Sequence, residues 1–136
     1  MCAAVNAVGN LVPPFLAFPR VHFKDHMLKG APASSAGVAN VNGWMNAENC
    51  TIRLQHFIKH VKCSSEKPVL MVFDNHESHI SIGSLTFAKG NGIVMASFPP
   101  HCSRKLQPLD RTVFGPLKRH YSGGCDSWMC EILERR

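Results

Sequence analysis

Short apolar runs separated by turn residues organise most of this chain. Residues 2–8 and 11–18 are two such runs around Gly9-Asn10. That arrangement predicts a β-hairpin. Pro13-Pro14 inside the second run cannot donate to a ladder, so this strand is expected at an edge or with a bulge. Residues 19–45 show no sustained period and carry Gly30-Ala31-Pro32 and Ser34-Ser35-Ala36-Gly37. They read as irregular. From 46 to 62 the spacing becomes helical: Leu54, Phe57, Ile58 and Val61 fall three and four apart on one stripe. Asn46 can cap this helix, and Glu48 suits its first turn. Ser64 to Pro68 is a turn. Val69–Phe73 is an unbroken apolar run with the composition of a buried strand. Residues 81–89 fit a short helix ended by Gly90-Asn91-Gly92, and residues 93–98 fit another strand. Residues 99–108 form a Pro-containing loop. A last helix opens near Asp110, with Val113, Phe114, Leu117 and Tyr121 on one side. Gly115-Pro116 conflicts with that helix, so a kink or a late start is expected.

The order is strand, strand, helix, strand, helix, strand, helix. It predicts an α/β fold with a mixed sheet and crossovers in its second half. At 136 residues the chain is one domain at most, long enough for a core. A 45% hydrophobic and 18% charged composition argues against disorder. No apolar stretch approaches the ~20 residues of a membrane helix. The net charge of +6 and pI near 9.2 are compatible with a nucleic-acid partner. Six cysteines occur with no Cys-x-x-Cys, which argues against a zinc ribbon. Residues 1–9 lack the positive start and apolar length of a secretory leader. Reduced thiols are therefore expected.

Two acids stand out. Asp74 ends the Val69–Phe73 run, where open α/β sheets place their chemistry. Asp110 ends Lys-Leu-Gln-Pro-Leu-Asp at 105–110. A capping role is the bland alternative for Asp110, and a turn role for Asp74. Asn75 suits the turn after the strand. His76, Glu77 and His79 follow Asp74 closely; Glu77 and Asp25 are the nearest substitutes for a further acid. Arg104, Lys105, Arg111, Lys118 and Arg119 surround Asp110 and could meet phosphates. His56 and His60 share i, i+4 spacing but point away from the apolar stripe. A solvated face suits them better than a metal, and His22 and His26 carry no stronger signal.

The joint order of several motifs carries a family resemblance. These are Phe73-Asp74-Asn75-His76-Glu77-Ser78-His79, Asn91-Gly92-Ile93-Val94, Phe98-Pro99-Pro100-His101-Cys102-Ser103, Leu106-Gln107-Pro108-Leu109-Asp110-Arg111 and Phe114-Gly115-Pro116-Leu117-Lys118. The chain resembles the DDE-type endonuclease domain of the pogo/Tigger/jerky transposases over nearly its whole length, more weakly before Gly43. The resemblance implies an RNase H-like fold, DNA as partner, a nuclear location, and strand cleavage and transfer with Mg²⁺ or Mn²⁺. Asp74 and Asp110 then correspond to the second and third acids of a metal-binding triad, with His79 beside them. Three carboxylates suit two hard cations held roughly 3.5–4 Å apart. The first acid would precede Met1, so residues 1–136 read as one partial domain. The sheet is then expected to show a gap at its centre, or a hairpin paired directly with Val69–Phe73. Cleavage by this chain alone is not expected. The alternative is a truncated or domesticated non-catalytic DNA-binding or protein-interaction module. Homo-oligomerisation stays open, because an exposed strand edge can pair with other chains.

Overall fold

The first turn is built around Asn6. Its Oδ1 accepts from the backbone N–H of Val8 at 3.1 Å and of Asn10 at 2.9 Å. Gly9 supplies the positive φ, 93°. Strands β1 (Cys2–Val5) and β2 (Leu11–Pro19) therefore pair antiparallel, as a hairpin. The computed structural model describes residues 1–74 and 81–134, the side chains of Ser103 and Arg104 excepted. The chain divides into two compact units, Met1–Ser97 and Phe98–Arg136. Its class is mixed α/β, with small sheets and flanking helices.

In the first unit the register slips between Cys2↔Phe15 and Ala4↔Val12. Pro13 and Pro14 thus sit in the bulge, where no ladder donor is required. The edge expectation is corrected, however. Strand β3 (Ala36–Asn40) pairs parallel with β2, from Phe15↔Ala36 to Pro19↔Asn40, so β2 is the inner strand of three. Residues 36–40 had read as loop because Ala-Gly-Val-Ala-Asn has little β propensity. Tertiary packing decides instead. A Cβ on Gly37 would lie 2.8 Å from the Phe23 ring and 3.1 Å from the Phe18 ring. Those two rings pack with centroids 6.1 Å apart. A side chain at this position would require those rings to shift.

Helix α1 (Ala47–Val61) starts as expected: Asn46 Oδ1 accepts from Asn49 N–H at 2.8 Å. Leu54 is fully buried with Met71, Phe73, Ala88 and Ile93, and Phe57, Ile58 and Val61 pack against that core. The second sheet pairs β4 (Val69–Phe73) with β5 (Ile93–Ser97) in parallel, Val69↔Ile93 through Phe73↔Ser97. Helix α2 (Ile82–Gly90) lies between them in sequence, capped by Ser81 Oγ accepting from Ser84 N–H at 3.1 Å. The apolar run of β4 reads as buried on both faces, and that is corrected too. Met71 and Phe73 are buried, but Leu70 and Val72 are exposed. Among the described residues no strand of one sheet pairs with a strand of the other. The hairpin does not pair with β4.

The second unit is helical. Helix α3 (Ser103–Leu106) occupies part of the expected loop. Helix α4 (Pro108–Thr112) opens with proline, whose missing N–H would be unpaired there anyway. Helix α5 (Phe114–Glu134) starts late, which places Pro116 in its first turn. Proline is tolerated there for the same reason.

Gly92 closes the turn into β5 with φ 72°. A Cβ there would collide with the carbonyl of Ser64. Gly92→Ala should destabilise the first unit by more than ~1 kcal/mol in urea unfolding. Asn46→Ala, which removes only the α1 cap, should cost about 1 kcal/mol. A Gly92→Ala midpoint equal to wild type would show that the 64–68 turn yields freely.

Candidate metal and nucleic-acid site

Asp74 is the first residue beyond β4, half-buried, at the end of the sheet where Phe73 and Ser97 stand side by side. The alternation that buries Met71 and Phe73 ends there, so a charged group emerges where the core stops. Asp110 lies in the second unit, in the first turn of α4, and is exposed. A carboxylate is favoured in that turn by the helix dipole. Each acid is thus delivered by the terminus of a regular element.

The chemistry of the donors near Asp110 suits a hard cation. Gln107 Oε1 is buried and meets no hydrogen-bond donor among the described residues. It precedes Asp110 by one helical turn. Amide and carboxylate oxygens are the ligands that Mg²⁺ and Mn²⁺ prefer. The sequence alone assigns Gln107 no role; its place inside the Leu-Gln-Pro-Leu-Asp stretch is the available signal. Among the described residues no three His, Cys, Asp or Glu side chains gather into a metal site. Asn75, His76, Glu77 and His79 lie outside the described residues, as does the side chain of Arg104. Asp25 is exposed and opens a 3-10 turn, Asp25–Leu28.

Four basic residues of the second unit are solvent-facing. Lys105, Arg111, Lys118 and Arg119 are all exposed, and Arg111 Nη1 donates to the Lys105 carbonyl at 3.4 Å. That contact ties α4 back to α3 and leaves two cationic side chains on neighbouring turns. Exposed cations cost little to hold and can meet phosphate oxygens directly.

The histidine pair on α1 does not face solvent as expected. His56 Nε2 donates to the Pro13 carbonyl at 2.8 Å, and its ring lies 5.8 Å from Phe15. His60 Nδ1 donates to the His56 carbonyl at 2.8 Å. The ring stack is structural: His56 satisfies a carbonyl in the bulge of β2. The sequence pattern marked one stripe of α1 as buried, whereas this helix also packs against β2.

Residues 20–135 match the DDE superfamily endonucleases, and the chain belongs to that family. It is also 37% identical over 134 residues to a protein of Cochliobolus lunatus named MFS-type transporter clz9. That match covers 95% of this chain and 14% of the relative, so the chain spans about a seventh of that protein's length. No solved structure matches. No helix among the described residues is long and apolar enough to cross a membrane.

Cys50 is poorly placed to act as a soft ligand. Burial pushes the Cys50 thiol above its ordinary value of 9.0, with Arg53 acting against that and Ser84 hydrogen-bonded to it. A thiol held protonated is a weak nucleophile and ligand. Cys125 and Cys130 are exposed. In native protein at neutral pH, iodoacetamide should modify Cys125 and Cys130 well before Cys50, read by peptide mass. The linkage has a defined sign. The unfolded thiol loses its proton near 9.0 while the folded one retains it, so stability should fall as pH rises above 9.0. Early labelling of Cys50 would show that α1 opens easily.

Proposed function

We propose that residues 1–136 form the DNA- and metal-handling part of a pogo/Tigger/jerky-type DDE endonuclease, with an RNase H-like arrangement of its strands. In this reading Asp74 and Asp110 are ligands for Mg²⁺ or Mn²⁺, and His79 supports the metal or the substrate phosphate. Arg104, Lys105, Arg111, Lys118 and Arg119 hold DNA phosphates, and the nucleus is the working compartment. When bound, the cation would activate the attacking oxygen and stabilise the leaving one. The chain's own contribution is to supply hard oxygen ligands and fix the phosphate backbone. The observation that carries this reading is the family match, which spans both acidic stretches.

A second reading is a non-catalytic DNA-binding module, in which the exposed Lys105, Arg111, Lys118 and Arg119 hold phosphates without cleavage. The transporter named in the relative does not extend to this chain. The shared stretch is a small part of that protein and is the same stretch that matches the endonucleases.

Fluorescence anisotropy on duplex DNA separates these readings from a protein that does not handle DNA. Binding should weaken steeply with salt. Replacing Lys105 and Arg111 by Ala should reduce the log–log salt slope by roughly two. Cleavage of supercoiled plasmid in Mn²⁺ by the chain alone should stay at background. Metal-dependent cleavage lost in both Asp74→Ala and Asp110→Ala would establish the enzyme and overturn the non-catalytic reading. Absence of any DNA binding would overturn both.

A further inference from the structure

The carboxyl end of the β2–β3 pair carries a feature that the acidic stretches do not account for. A cavity of about 240 Å³ is lined by Phe18, Pro19, Arg20, His26 and Met27. It forms because the chain leaves β2 at Arg20 and folds back through the Asp25–Leu28 turn, setting His26 and Met27 against the strand end. Its lining combines the apolar Phe18, Pro19 and Met27 with the basic Arg20 and His26. Arg20 Nη1 donates to the Pro19 carbonyl at 3.0 Å, which steadies the guanidinium at the wall. Lys24 and Lys29 flank the cavity in sequence, opposed by Asp25 alone.

A second, independent observation lies beside it. Trp44 is 71% exposed, an unusual place for so large an apolar ring. The turn that carries it is nonetheless well held. Asn40 Nδ2 donates to the Trp44 carbonyl at 2.7 Å, and Gly43 N–H donates to the Asn40 carbonyl at 2.7 Å. Gly43 has φ 69°, and a Cβ on it would lie 3.2 Å from Pro19 Cβ. The Trp44 turn therefore rests against a residue that lines the cavity. The backbone is fixed while the indole is offered to solvent.

We propose that this end of the sheet is a second DNA contact that takes an unpaired nucleotide, with a base stacked on Trp44 and the phosphate on Arg20 and His26. Every base has a face that can stack on an aromatic ring, and guanidinium supplies the charge that phosphate needs. A paired base hides its face in the duplex, so the ring selects single-stranded DNA. The inference rests on the DNA-binding reading above and adds the strand state and the residues that sense it.

The test is intrinsic tryptophan fluorescence of the full chain titrated with a single-stranded thymidine oligonucleotide, with anisotropy of the labelled oligonucleotide in parallel. Binding should quench the emission. Trp44→Ala should abolish the quench and weaken affinity roughly tenfold, while Trp128→Ala should leave both intact. Arg20→Ala should weaken affinity and lower the salt slope by about one. Duplex DNA should quench little. Circular dichroism confirms that each variant is folded. Binding with quench and affinity unchanged in Trp44→Ala and Arg20→Ala would overturn this inference and leave the DNA-binding reading standing. Equal quenching by duplex would also overturn it. Failure to bind any DNA would remove both.

Discussion

Helix α1 is the constraint on which the first unit depends. The two small sheets share no strand pairing among the described residues, so backbone hydrogen bonds do not join them. Side chains of one helix do so instead. Leu54 sits fully buried in the core against β4, α2 and β5. His56 reaches the bulge of β2 and donates to the Pro13 carbonyl. Cys50 is buried and hydrogen-bonded to Ser84 of α2. A buried carbonyl without a donor would cost about 1–3 kcal/mol, so His56 stabilises the bulge it faces. Side-chain packing and hydrogen bonds of α1 thus couple the sheet beside the Trp44 turn to the sheet that delivers Asp74.

Strong local signals made most of this architecture legible. The hairpin followed from Gly9-Asn10, the α1 cap from Asn46, and β4 from its apolar run. Ser81 and Asn91 bound α2 within a residue of the expected limits. The late start of α5 followed from Pro116, because proline has only a few tolerated places in a helix. What was missed lacks local propensity. Strand β3 is made of small residues, and its identity comes from β2 beside it and from the Phe18–Phe23 pair above Gly37. The second face of α1 was missed because histidine reads as polar, while His56 is placed by a carbonyl distant in sequence.

The candidate site was legible in a different way. Asp74 and Asp110 were marked by position: one ends a strand and the other falls in the first turn of a helix. Family membership now spans both. Gln107 needed structure, since only burial reveals an acceptor oxygen with no donor among the described residues. The cavity at Arg20 and His26 needed structure as well. Its residues leave β2 and return through a 3-10 turn, in a segment with no hydrophobic period to announce it.

The central proposal is that the Asp74 and Asp110 carboxylates are hard-cation ligands. Mn²⁺ affinity, read from the loss of the free-ion paramagnetic resonance signal on titration, tests it without requiring turnover. The account predicts measurable Mn²⁺ binding by the parent chain. Asp74→Asn and Asp110→Asn should each weaken it at least about tenfold. Unchanged Mn²⁺ binding in both single variants, with each variant folded, would contradict the account.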